Sequence, residues 1–431
     1  GSALTLRVAR VGALSAITAI TSLAGTAFGG SPSVAWRVEV SGFVINRPAI
    51  GPNGEIAVQS RELVVIERDG TVRWRDNTIA WADANSICDI DDQGRIYANS
   101  TVGLRAFGPD GDSLWTLPAL GPAYSHRAGP TVGPDGNVYF IDDGFQGYGF
   151  GSVTPSGILR WNLPGFGDAD SDFPRSEILF SNGLAIGVAP QIPENCGGNC
   201  LGSGAMALRM SDGNVEWDAQ TTAPFVPAIS PSGRILLPVA PSGIRSIDSS
   251  DGSVGAVQAA TGLLNAGQRV SIRPDDVGFG VSSFSRIIRI SPDDVATTLN
   301  SSVGAIMSAP EVSPDGSLIV VGTAVSLLPS ESNIRGIDAD TGDVLWSIPL
   351  PAENGSFPQP TGHPRFSPDG TRVYMGVILQ NRSFVYAIDL GGVALPGDTN
   401  ADGEVNFTDL NAVLGAFGQT GEPGFSGADV D

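Results

Sequence analysis

The sequence predicts an all-β fold, an eight-bladed propeller closed by an N-terminal strand, with a small helical segment at the C-terminus beside a cation-binding loop. Three observations predict it. Glycine (57) and proline (31) are abundant in the 431 residues while charged residues make up 16%, a composition that suits many short strands joined by tight turns. An apolar run, an Asp/Asn-Gly type turn and a second apolar run recur along the chain, beginning at Pro48, Ser86, Gly129, Ser176, Pro227, Val270, Ala309 and His363. A second hairpin follows most copies, and it carries Trp four residues after its turn glycine: Gly70 and Trp74, Gly111 and Trp115, Gly157 and Trp161, Gly213 and Trp217, Gly342 and Trp346.

Two hairpins make four strands in about 45 residues, the size of one propeller blade. The fifth unit has Gly252 but Ala256 at the Trp position, and the sixth, SRIIRISPDDVATTL, is degenerate. The eighth ends after FVYAIDLGG without a fourth strand. SVAWRVEVSG, from Ser33, carries Trp36 ahead of the first copy and supplies that strand. Six of the seven tryptophans then hold equivalent outer-strand positions as packing residues between blades.

Strand alternation sorts the connections into two faces. Turns within hairpins are short and share one face; links between hairpins and between blades are longer and share the other. The long links carry Trp81, Tyr124, His126, Phe145, Tyr148, Phe166, Phe173, Phe357 and His363, the expected place for a ligand on a rigid scaffold. The chain leaves the propeller near Leu390 on the short-turn face, and the closing strand at Trp36 starts on that face too.

Arg7 and Arg10 precede an uncharged, mostly apolar stretch, Val11 to Gly29, with a small-residue exit at Gly25, Ala27 and Gly29. Residues 1–29 read as a secretory signal peptide, with a membrane-spanning helix as the competing reading. After processing no stable membrane span is expected, and the protein is placed outside the cell, at its surface or in a periplasm. Cys196 and Cys200, in ENCGGNC, are expected to form a local disulfide, with two free thiols as the alternative. Cys88 lies in an apolar strand-like run and reads as a buried small hydrophobe.

All 24 basic residues are Arg, which excludes Schiff-base lysine chemistry, and the net charge of −21 disfavours nucleic acid. No G-x-S-x-G, H-E-x-x-H or C-x-x-C-H motif is present. Most carboxylates sit in Asp-Gly turns, where Asp caps its own backbone. Asp168, Asp170 and Asp172 are the candidates for a glycosidase-type pair on the loop face.

GDTNADGEVNFTDL, from Gly397, places Asp398, Asn400 and Asp402 at positions 1, 3 and 5 of a twelve-residue loop. Gly403 at position 6 permits the sharp turn, Glu404 at 7 offers its carbonyl, and Asn406 and Asp409 stand at 9 and 12. Oxygen ligands at these offsets suit Ca²⁺. Leu410, Val413, Leu414 and Phe417 then form one helical apolar stripe.

Two resemblances follow from these motifs. GIDADTGDVLW, from Gly336, looks like the tryptophan-docking repeat of quinoprotein-like (PQQ-repeat) propellers, and HPRFSPDGTRVYMG, from His363, looks like the TolB-type repeat. The tail resembles the first half of a dockerin, an EF-hand-like module of secreted bacterial carbohydrate-active proteins. Asp429 and Asp431 stand at positions 1 and 3 of an incomplete second loop, and Phe407 replaces the usual small hydroxyl residue. The implied organisation is a signal peptide (1–29), a propeller (33–395) and a dockerin-like calcium segment (396–431). The implied function is a secreted, non-enzymatic propeller that binds a glycan or protein on the long-loop face and is tethered through its tail to a cohesin-type partner, in extracellular polysaccharide degradation. The alternative is an enzyme, either a quinone-dependent oxidoreductase or a polysaccharide-degrading propeller. The chain lacks the adjacent cysteines of quinone-dependent dehydrogenases.

Overall fold

The computed structural model describes residues 31–391, apart from 45, 80–86, 101, 119–127, 145–146, 164–176, 190–203, 221–225, 240–242, 257–268, 283–284, 301–302 and 325–330. Residues 32–390 form one compact unit. Of the second unit, 1–31 with 391–431, only 31 and 391 are among the described residues.

The first blade shows how sequence becomes strand. Ala49–Ile50, Ile56–Gln59, Leu63–Ile66 and Val72–Asp76 pair antiparallel in chain order. The first hairpin turns at Gly51–Gly54, where the Gly54 N–H donates to the Gly51 carbonyl at 3.1 Å. The second turns at Glu67–Thr71, closed by Gly70 N–H to the Glu67 carbonyl at 2.9 Å, while the Asp69 carboxylate accepts from Thr71 N–H at 2.8 Å. Seven further antiparallel sheets follow along the chain. In the eighth, Ser33–Val40 pairs with Arg382–Asp389, and Ser33 stands opposite Asp389. The N-terminal strand therefore closes the ring as the tryptophan pattern requires.

Two blades depart from the regular four strands. In the fifth, Gly243–Asp248 is followed among the described residues by a single bridge, Ile247 to Val254, in place of an outer strand. The seventh gains a short piece, Ala305–Ile306, beside Leu318–Ala324.

The hydrophobic core lies between blades. One cluster joins Val38, Val40 and Val385 of the eighth blade to Ile56 and Val64 of the first; another joins Ile235 and Ile247 of the fifth to Ile186 and Ala207 of the fourth. No blade can bury both faces alone, so the ring folds as a closed set.

The tryptophans fasten neighbouring blades. Each follows a bulged residue: the register runs Val65 to Trp74 and Ile66 to Val72, which leaves Arg73 unpaired in the ladder. The bulge turns the indole towards the next blade's second turn. Trp36 Nε1–H donates to the Arg68 carbonyl at 2.9 Å, Trp74 to Pro109 at 2.8 Å, Trp115 to Pro155 at 2.9 Å, Trp161 to Met210 at 3.2 Å and Trp217 to Ser249 at 2.9 Å. Glycine is required beneath the ring. Gly70 has φ +93°, and a Cβ there would lie 2.6 Å from Trp36.

Where Trp is missing, other groups reach the same turn. At the fifth-to-sixth junction the Arg234 guanidinium donates to the Ser291 carbonyl at 2.8 Å and pairs with Asp294. At the sixth-to-seventh junction Leu299 lies against Gly342, and the Asn300 amide donates to the Gly342 carbonyl.

Candidate ligand site on the propeller axis

The innermost strands surround the axis, and alternate residues of a strand share a face. Two rungs of side chains result. The rung nearer the long links holds Arg47, Glu177, Arg269 and His363. The rung two residues further along holds Asp89, Thr131, Glu311 and Arg365, within or beside Cys88–Ile90, Ala128–Val132, Glu311–Val312 and Arg365–Phe366. Three arginines and three carboxylates thus face each other from six different blades.

Four of these charges form a chain across the channel. Arg269 makes two hydrogen bonds to Glu177, at 3.0 and 3.3 Å. Arg47 forms a second bidentate pair with Glu177 and reaches Glu311 at 3.3 Å. The side chains are only 10–16% exposed. Burial alone would raise the Glu177 pKa, but Arg269 and Arg47 outweigh it and hold the carboxyl well below its usual range. Burial likewise opposes the charge on Arg47, and Glu177 and Glu311 more than compensate.

The remaining charges are placed differently. Burial pushes Asp89 up to about 6, although its oxygens accept from Val132 N–H at 2.8 Å and Ile90 N–H at 3.0 Å. Arg365 feels Arg47 and burial, both of which lower its pKa, and among the described residues it makes no hydrogen bond or ion pair. His363 is 8% exposed, its Nδ1 has no partner among the described residues, and burial lowers it to about 3, so the ring is neutral. A cavity of about 360 Å³ opens beside the ion-pair chain, with Arg47, Asp89, Thr131, Glu177 and Arg365 in its wall.

Of the residues singled out from the sequence, His363 moves from the loop set to this axial rung. Phe357 is half-buried on the long link into the eighth blade. Tyr148 falls in Gly147–Val153, with its side chain outside the description. Trp81, Tyr124, His126, Phe145, Phe166, Phe173, the carboxylates Asp168, Asp170 and Asp172, the pair Cys196 and Cys200, the segment 1–29 and the calcium ligands Asp398, Asn400, Asp402, Glu404, Asn406 and Asp409 lie outside the described residues. Cys88 is buried and free, and burial raises its thiol pKa.

The axial charges were missed in the repeat pattern. The residue type at a given rung changes from blade to blade with no fixed pattern, so a search for similarity passes over the column. The available signal was a charge at or just ahead of the apolar inner strand, as in NRPAI, SEIL, QRVSI, PEV and HPRF.

No family model and no curated protein sequence matches the chain. Solved structures do. BamB from Moraxella catarrhalis superposes with a TM-score of 0.54 at 13% identity, over 84% of this chain and 98% of that one. A quinohemoprotein alcohol dehydrogenase from Pseudomonas putida gives 0.57 at 14%, over 84% and 76%. A europium-containing methanol dehydrogenase gives 0.55 at 12%, over 83% and 93%. The fold is that of a PQQ-like β-propeller. At these identities the likeness is one of architecture, and chemistry has to be argued from the site.

The axis does not suit a metal–quinone pair. Glu177 and Glu311 are both engaged by Arg47, and among the described residues no three His, Cys, Asp or Glu side chains converge as a metal site. Among those residues no helix is long and apolar enough to cross a membrane.

Proposed function

We propose that the chain is an exported, non-catalytic binding propeller that captures a protein on its long-loop face and is held by a calcium-dependent, dockerin-like tail. The observation that carries this reading is the chain Arg269–Glu177–Arg47–Glu311, which spans the axis and engages four of its six charges with each other. With the axis bridged, we assign the macromolecule to the long-link face. The likeness in fold to BamB favours a protein over a glycan as the ligand. The signal-peptide pattern of residues 1–29 supports export to the cell surface or beyond, and the spacing of Asp398, Asn400, Asp402, Glu404, Asn406 and Asp409 supports Ca²⁺.

The test immobilises the full chain through its tail on a calcium-loaded cohesin surface and measures capture from the protein and polysaccharide fractions of the source cells' medium. Trp81→Ala, Tyr148→Ala and Phe357→Ala should weaken capture and leave tethering intact; chelation of calcium should release the chain. Capture that survives all three loop substitutions rejects the face assignment. Turnover of a polysaccharide, or dye reduction after loading with pyrroloquinoline quinone and Ca²⁺, rejects the non-catalytic reading.

A further inference from the structure

Two axial charges remain outside the ion-pair chain, and both face the 360 Å³ cavity. Arg365 is half-buried in the cavity wall, and among the described residues it has neither hydrogen bond nor ion pair. A guanidinium offers five donors, and those that Arg365 turns to the cavity are open to an acceptor. Thr131 stands in the same wall. Its Oγ1 accepts from Ile178 N–H at 3.1 Å, so its own O–H is left to donate inward. Ile87, Pro130, Ile178 and Ile229 complete the lining with apolar surface.

We infer that this cavity binds a small organic monocarboxylate, its head on the Arg365 guanidinium and the Thr131 hydroxyl and its body against the apolar wall. One unpaired cation matches one negative charge. A divalent inorganic anion would find no second free cation among the described residues of the wall and would leave the apolar lining wet. The cavity lies in the size range of small-molecule sites.

Asp89 sets the pH response. As a carboxylate it competes with the guest for Arg365 and repels it; protonated, it does neither and can donate. Its pKa of about 6 places that change in mildly acidic solution. Besides Asp89 and Arg365, the charged or titratable groups in the wall are Arg47, Glu177 and Cys88. Arg47 and Glu177 are held as an ion pair, the Cys88 thiol is pushed up by burial and stays protonated, and on the neighbouring rung His363 is already neutral. Binding should therefore tighten as the pH falls through 6. The inference is independent of what the long-loop face captures.

The experiment is calorimetric titration of the full chain with butyrate and benzoate, and with inorganic phosphate and chloride, at pH 5.5 and 7.5. One carboxylate per chain should bind, tighter at pH 5.5 by on the order of ten-fold, since Asp89 is mostly protonated there and mostly ionised at 7.5. Arg365→Gln should weaken it at least ten-fold, with folding checked by circular dichroism. Asp89→Asn should raise the affinity at pH 7.5 to the level of pH 5.5, a gain that misfolding cannot produce. No binding of either carboxylate at pH 5.5 overturns the inference. So does equal affinity for chloride or phosphate, or carboxylate affinity that Arg365→Gln leaves unchanged in a folded protein.

Discussion

Trp74 and Trp346 hold equivalent places in two blades and differ at one atom. The Trp74 indole N–H donates to Pro109, while that of Trp346 has no acceptor among the described residues, because the turn it would meet is replaced by the two ends of the closing strands. Trp74→Phe should cost about 1 kcal/mol more than Trp346→Phe in urea unfolding, the net value of one hydrogen bond. Equal losses would show that the indole contacts matter and the donors do not. Asp89 and His363 give a second contrast at this scale. Asp89 rises from 3.8 to about 6 on folding, so the native state holds the extra proton between those values and stability falls as pH rises through them. His363 drops from 6.5 to about 3, so the unfolded state holds the extra proton and stability falls as pH drops. Between pH 4 and 6 the two slopes oppose each other. Asp89→Asn should leave the His363 slope exposed, and stability relative to the parent should fall on acidification by roughly 1.4 kcal/mol per pH unit. His363→Gln should do the reverse. Denaturant melts across this range decide it, and parallel profiles for parent and both variants would refute the placement of these groups.

At the scale of the element, the closing strand Ser33–Val40 is the clearest dependency. It buries Val38 and Val40 against the first blade and covers the edge of Arg382–Asp389. Deleting residues 30–42 should bare that edge and lead to concentration-dependent association in light scattering, with a lower melting temperature. A monomer with unchanged melting would overturn the closure. The strand was legible in the amino-acid order because Trp36 belongs to a series spaced by the hairpin pattern. The inner strands were not. Their outward neighbours are fixed by packing, but the residues on the axis face each other across space, so Asp89, Glu177, Arg269 and Arg365 obey no repeat. The replacements at the weak junctions were hidden for a related reason: Arg234 and Asn300 satisfy the same kind of turn carbonyl as Trp with different chemistry at different sequence positions. The fifth blade, which lacks Trp, is also the one whose outer strand shrinks to the Val254 bridge among the described residues.

For the whole propeller, the register of Ser33 with Asp389 puts the start of one strand and the end of its partner together on the short-turn face, away from the long links. Leu390 N–H marks the same side by donating to the Thr371 carbonyl at 2.9 Å, in a short turn. Asp398→Ala, at the proposed first calcium ligand, should abolish calcium uptake in titration of the full chain and leave the melting of the propeller almost unchanged, since residues 32–390 form a compact unit of their own. A shared shift in both transitions would contradict this. The same register has a mechanical consequence. A load carried between residues 31 and 391 pulls perpendicular to the two closing strands, so their hydrogen bonds break in succession, from Ser33 towards Val40, as a zipper opens. A load applied from residue 31 to the far end of the neighbouring strand, at Arg382, would stress the whole ladder in shear and meet far more resistance. In optical-trap experiments the ring should open at low force when held by its ends, first at this seam, while handles at residues 31 and 382 keep it shut.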